Sequence, residues 1–339
     1  MTTKTKTNFL EYRLTMGMTT MEGRGFYYPV DTAIGNNGNL YVISRSKEET
    51  TRGIRVTICT VDGEYFGNFG GYGEGEGQFV WPCCGATDSH GRFYLTDESL
   101  CRIAVFDEAG KPLTHWGVEG SGDGELDTPS GIAFDSKDHC YVSDTYNNRV
   151  QKFTASGRFL AVLGAQVLNL PWGVASDSHD NVYVADWGND CIQKFSPEGK
   201  HLAQFGASGD GDGQFIRPSS VAVDRDGFIY VADWGNERVQ VLDAHGEFVA
   251  KLRGEATLST WAENFLKINT EEAEARATAN LDMQIDYPVK TPHEESSHIE
   301  KLFWSPVSVK LDKDDLLYVT ETSRHRIQVY GRTTLDSTE

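Results

Sequence analysis

The stretch from Pro218 to Gly254, PSSVAVDRDGFIYVADWGNERVQVLDAHGEFVAKLRG, carries the hydrophobic pattern on which most of the chain is built. Val221 and Val223 alternate with Ser220, Ala222 and Asp224, the period of two expected of a strand with unlike faces. Asp226-Gly227 then forms a tight turn. Phe228 to Ala232 reads as a second, apolar strand, and Asp233 to Glu237 as a polar turn. Arg238 to Leu242 is a third strand, His245-Gly246 a second turn, and Phe248 to Leu252 a fourth strand. Four antiparallel strands with short connections predict one blade of a β-propeller.

The same pattern returns in fixed register. Fifteen residues after a proline comes an acid, and twenty after it a basic residue: Pro82, Asp97 and Arg102; Pro129, Asp144 and Arg149; Pro218, Asp233 and Arg238; Pro306, Glu321 and Arg326. Pro171 keeps Asp186 but has Cys191 in place of arginine. Pro29 opens a looser copy with Ser44 in the acid's place and a delayed Arg55. One supersecondary unit copied at this spacing predicts an all-β, six-bladed propeller, with blades near 29–70, 82–117, 129–164, 171–206, 218–254 and 306–330. The last blade has only three strands of its own. FLEYRLTMG, residues 9–17, reads as its fourth strand, closing the ring and removing an open sheet edge.

Successive prolines from Pro82 to Pro218 lie 47, 42 and 47 residues apart, but Pro306 follows Pro218 by 88. Residues 255–303 are therefore an insertion between blades five and six. Thr260 and Glu263 fit a capping box, and Leu258, Trp261 and Phe265 are spaced for one apolar helical face. Thr270-Glu271-Glu272 suits the start of a second helix, and Pro288 and Pro292 predict an irregular stretch after it. The loop from an outer strand to the next inner strand opens on one face of a propeller, so the insertion reads as a helical lid over the channel mouth on that face. Residues 331–339 are left as a C-terminal tail.

The motifs YVSDTYNNRVQKF (141–153), YVADWGNDCIQKF (183–195) and YVADWGNERVQVL (230–242), with the linking loops GYGEGEGQFVWP (71–82) and GDGDGQFIRP (209–218), resemble the NHL-repeat family of six-bladed propellers. The likeness extends over roughly residues 9–330 apart from the insertion. It implies the fold and leaves function to the site, because propellers host many activities.

Charge narrows the partners. With a formal net charge of −19 and no cluster of Lys and Arg in the sequence, neither nucleic acid nor an anionic membrane is an expected partner. RNA binding, which the resemblance also brings in, is opposed on the same ground. The opening MTTKTKTNFLEYRL lacks the apolar core of a secretory leader, so a cytoplasmic protein with six reduced cysteines is expected.

The residues just after each repeat proline should line the mouth: Val30-Asp31, Cys83-Cys84, Ser130-Gly131, Trp172-Gly173, Ser219-Ser220 and Val307-Ser308, of which Asp31, Cys83, Cys84, Ser130, Trp172 and Ser219 are the ligand-binding candidates. The repeat is broken at Asp186, an acid without its arginine, and at Arg55, an arginine without its acid. Blades four and one stand opposite each other, so these two are candidates for gripping a polar ligand across the channel. Propellers similar to the peptide-amidating lyases would place zinc-binding histidines at the mouth, and the sequence has none there. Lactonase-like propellers gather acids and asparagines around a divalent ion, and here only Asp31 qualifies. No cofactor is expected beyond a divalent cation at that residue. A Cys83 nucleophile would need a base, for which His325, His293 and His298 are the candidates. Trp172, Trp187 and Trp234 are candidates for an aromatic rim, although packing between blades is the favoured reading of the repeated pair Trp187 and Trp234. Two functions follow: a scaffold that binds a protein or small molecule on the lidded face, or a lyase or hydrolase working at the channel mouth.

Overall fold

The computed structural model describes residues 9–46, 51–285 and 291–333. Six four-stranded antiparallel sheets are arranged radially. Their inner strands, Pro29–Ile34, Pro82–Thr87, Pro129–Phe134, Pro171–Ser176, Pro218–Val223 and Pro306–Leu311, stand side by side around a central channel. Each opens on its repeat proline, a position where a missing N–H costs no ladder bond. The sixth sheet is completed by the chain's beginning. Leu10–Met16 pairs antiparallel with Arg326–Arg332, with Leu10 opposite Arg332 and Met16 opposite Ile327. The last strand thus reaches two residues into the segment assigned to a tail, and 334–339 lie outside the described residues.

The core is interblade. Tyr41, Tyr94, Tyr141 and Tyr230, one from the second strand of each of four blades, are fully buried. The hydroxyls of Tyr94, Tyr141, Tyr183, Tyr230 and Tyr318 donate to Asp88, Asp135, Asp177, Asp224 and Asp312, which head the first hairpin of each blade. A buried ring with a satisfied hydroxyl fixes each hairpin to its own blade. Among the described residues no helix is long and apolar enough to cross a membrane, and all six cysteines are free.

The repeat acids and arginines are internal ties. Asp144 accepts from Asp127 N at 2.6 Å, Arg149 Nε at 2.7 Å and Gln151 Nε2 at 2.9 Å. Arg149 continues to the carbonyls of Gly122 and Glu125 in the preceding glycine-rich loop. Such a loop needs glycine where φ is positive, as at Gly120 (φ 155°). In four of the blades one further residue ties the blade to the next. The turn between strands two and three ends in a left-handed residue: Asn148, Asp190, Glu237 and His325, with φ of 52–55°. Each side chain accepts the backbone N–H of the residue before the next inner proline, at 2.8 Å from Leu170, 2.7 Å from Arg217, 2.5 Å from Ser305 and 2.8 Å from Tyr28.

The insertion holds three helices, α1 (Thr260–Ile268), α2 (Thr270–Thr278) and α3 (Pro292–His298). The N-cap of α1 is Ser259, whose hydroxyl accepts Ala262 N, one residue before the expected cap. Trp261 alone of the expected apolar face is buried. It packs on Phe26 and Tyr65 and donates its indole N–H to Gly63 O. Phe265 is exposed. The predicted irregular stretch contains α3 instead. Pro292 occupies its first turn, where no helical N–H is lost, and Thr291 caps it.

Candidate functional site

On the face where the inner strands begin, the channel opens into a cavity of about 330 Å³. Two rings of repeat positions build it. The upper ring is the residue directly after each repeat acid: Arg45, Glu98, Thr145, Trp187, Trp234 and Thr322. The turn between strands two and three brings Arg45, Trp187, Trp234 and Thr322 to the cavity, whereas Thr145 is buried on Ser130 and Pro171 O and Glu98 lies against Arg45. The lower ring is the residue after each proline, of which Val30, Trp172, Ser219 and Val307 reach the cavity. Tyr28, Trp81 and Ser305, each just before a proline, fill the gaps.

The mouth is two-sided. Trp172, Trp187 and Trp234, from blades four and five, make one wall, with Trp172 and Trp187 tilted at 38° and 6.1 Å between ring centres. Arg45 stands on blade one, opposite. Its guanidinium lies over Trp81 at 4.9 Å, and its Nε donates to Pro82 O. Its Nη2 is 2.9 Å from Glu98 Oε2, an ion pair out of line for a hydrogen bond. Burial works against the Arg45 charge, but Glu98 more than offsets this and leaves its pKa above the ordinary arginine value.

Of the nominated residues, Trp172 and Ser219 line this cavity, and Ser219 Oγ also donates to Val307 O at 2.8 Å. Ser130 is buried in the wall, bonded to Thr145 Oγ1 at 2.6 Å and Trp172 O at 3.1 Å. Cys83 is buried beside Cys84, Sγ to Sγ 3.8 Å, and burial followed by its neighbour pushes its thiol well above the usual range. Asp31 does not face the mouth. Its carboxylate is buried between strands, accepting from Gly85 N at 2.9 Å and from the Ser308 hydroxyl. The cation beside it is Lys310, whose Nζ is 3.3 Å away. Its acceptors are therefore used, and among the described residues no group of three or more His, Cys, Asp or Glu converges as metal ligands would.

The broken repeats are not free groups either. Arg55 still does what the other arginines do, donating to Met21 O, Thr20 O and Gly25 O. Ser44, in the acid's place, accepts from Tyr27 N. Asp186 is fully buried, accepting from Asn169 N, Asn189 Nδ2 and Gln193 Nε2, and burial raises its pKa. The pair that faces across the channel in blades one and four is Arg45 and Trp187, each one residue past the repeat's acid position. His325 is the left-handed clamp of blade six, its Nδ1 taken by Tyr28 N and its ring stacked on Tyr27.

No described residue of the insertion lines the mouth cavity, so the expected lid is displaced. Helix α3 stands over the turns of blades five and six, where His293 bonds Glu237 at 2.5 Å and accepts the Trp304 indole N–H at 3.1 Å. Helix α1 lies out at the rim of blades six and one. A second hollow of about 450 Å³ lies between the insertion and blade six and contains Arg276, Arg324 and Arg326, a grouping of cations invisible in the linear sequence. Arg276 is paired with Glu300 and Arg326 with Glu321.

The model for the NHL repeat matches residues 126–153, 168–195, 215–242 and 303–330, which are blades three to six. No curated protein matches the chain. Among solved structures, a protein of unknown function from Bacteroides thetaiotaomicron is 20% identical, with a TM-score of 0.59 over 90% of this chain and 70% of that one. A catalytically inactive virginiamycin B lyase from Staphylococcus aureus with quinupristin is 11% identical, with a TM-score of 0.58 over 95% of this chain and 100% of that one. A nidogen/laminin complex is 19% identical, with a TM-score of 0.50 over 66% of this chain and 79% of that one. At these identities the likeness is one of fold. Four NHL repeats set in a closed ring of six blades make this chain an NHL-repeat six-bladed β-propeller.

Proposed function

We propose that the protein is a binding propeller that takes a small ligand, or one projecting group of a larger partner, into the tryptophan-lined mouth. The supporting observation is the cavity itself, concave, largely apolar, and edged by Arg45 and a few hydroxyls. Those are the attributes of a ligand site. The tryptophans are half-buried, so a ligand removes further apolar surface from water at about 25 cal/mol per Å². Six free thiols accord with work in a reducing compartment, and we assign the protein to the cytoplasm on that basis.

The lyase or hydrolase reading has less support. Cys83 is buried with a raised pKa, and the ring nitrogens that would serve it are engaged elsewhere, His325 on Tyr28 and His293 on Glu237 and Trp304. The test is a small-molecule and peptide screen followed by tryptophan fluorescence and calorimetry. Ligands should lose affinity in Trp172→Ala and Trp187→Ala. Hits that bind both variants as well as the parent would remove the mouth as the site.

A further inference from the structure

The polarity of the mouth selects among ligands. Two of the four mouth tryptophans already hold one of the protein's own guanidiniums against a face, Arg45 over Trp81 at 4.9 Å and Arg217 over Trp187 at 4.7 Å. The nearby carboxylate, Glu98, is nearly buried and committed to Arg45 Nη2. Among the described residues lining the cavity, Arg45 is the one with a charged side chain, and its partner Glu98 is not part of that lining, in a chain of net charge −19. Arg45 has spare donor capacity. Nε is used on Pro82 O and Nη2 faces Glu98, while Nη1 has no acceptor among the described residues. A guanidinium with an open donor edge, set opposite an apolar wall, is built to take a carboxylate oxygen from a ligand whose body packs on tryptophan.

We infer that the mouth binds an aromatic carboxylate, its ring against Trp172 and Trp187 and its carboxylate on Arg45. This rests on the mouth being the binding site. The chemistry is shared by a small aromatic acid and by the free C-terminus of a polypeptide ending in an aromatic residue.

The experiment is calorimetric titration of the full chain with three compounds of one shape: 3-phenylpropionate, 3-phenylpropionamide and 3-phenylpropylammonium. The acid should bind about tenfold tighter than the amide, because a charge-assisted bond is roughly twice as strong as a neutral one. The ammonium should bind weakest. Trp172→Ala should weaken all three alike. Arg45→Met should abolish the preference for the acid, and Glu98→Gln, which removes the competing carboxylate, should strengthen it several-fold. Gly-Gly-Phe with a free C-terminus identifies the source: tighter than 3-phenylpropionate points to a polypeptide end, weaker to a small acid, and both uphold the inference. Equal affinity for acid and amide, or tightest binding of the ammonium, overturns this inference alone. Failure of all three compounds to bind overturns it together with the mouth as a site.

Discussion

Asp144→Asn and Asp186→Asn make the same chemical change at equivalent positions of neighbouring blades, and their costs should differ widely. In blade three, Asp144 faces Arg149 Nε at 2.7 Å and Gln151 Nε2 at 2.9 Å, and Arg149 is itself buried. Asparagine puts an N–H₂ group against those donors or surrenders Asp127 N, and it strands a buried guanidinium. Breaking a buried pair from one side costs about 3–5 kcal/mol. In blade four, Asp186 has no arginine. Its partners Asn189 and Gln193 are neutral amides, and Asn189 can turn to present oxygen by giving up its exposed bond to Val167 O. The loss there should be about 1 kcal/mol, one neutral hydrogen bond. Urea denaturation at neutral pH, followed by tryptophan fluorescence, measures both. Equal losses would refute the reasoning that the arginine, and not the acid's other bonds, sets the cost. The pH dependence carries a second signature. Burial raises the Asp186 pKa in the folded chain, which therefore holds that proton more tightly than the unfolded chain with its ordinary value of 3.8. The folded state binds the extra proton between those two values, so this group's stabilisation is complete below 3.8 and is lost as pH rises through the folded value. Asp186→Asn has no such proton, so its stability relative to the parent should improve as pH rises across that window.

Trp261→Ala should release α1 from the rim, costing about 3–5 kcal/mol locally, and limited proteolysis should then cut within 255–303 well before the blades. Asn148→Ala removes the acceptor for Leu170 N and leaves a non-glycine side chain at φ 53°, a loss of about 1–2 kcal/mol readable as a lower urea midpoint. A chain lacking residues 1–17 bares the edge of Arg326–Arg332, and size-exclusion chromatography should show self-association that the full chain lacks.

The blades were legible because their strands alternate with period two and their turns recur in register, so each copy confirmed the others. The closing strand was legible too, since FLEYRLTMG repeats the cadence of a fourth strand that blade six lacks. The site was less so. Counting forward from the prolines found Val30, Trp172, Ser219 and Val307 but also brought in Asp31, Cys83 and Ser130, whose side chains turn into the wall. Asp31 stands two residues after its proline, past a bulge that shifts which side chain faces the channel, whereas Cys83 and Ser130 share the position of Trp172 and Ser219 but are small and packed on Cys84 and Thr145. Such a bulge leaves no mark in the sequence. The insertion gave the opposite difficulty. Its helices have caps and periodicity, but their placement depends on what Trp261 and His293 meet, and those partners, Gly63 and Glu237, are distant in sequence.

Repetition constrains some positions and releases others, and the released ones carry the chemistry. The acid, the arginine and the left-handed clamp each satisfy a buried backbone group, so substitution there must find an equivalent bond. Ser44 does so by accepting Tyr27 N, as the acids accept the same position in other blades. At the residue directly after the acid the demand varies: Arg45, Thr145 and Thr322 each donate to the carbonyl of the next inner proline, whereas Trp187 and Trp234 line the mouth with no such bond among the described residues. It is Arg, Glu, Thr, Trp, Trp and Thr in the six blades, and Arg45, Trp187, Trp234 and Thr322 line the mouth. A break in the repeat's own residues therefore marks a substituted tie, as at Ser44, whereas diversity at the position beside the tie marks the surface on which the propeller distinguishes ligands. By that argument Arg45 and Trp187, unlike each other and opposed across the channel, form the axis along which a ligand is read, and exchanging either should change which ligand binds before it changes whether the ring holds.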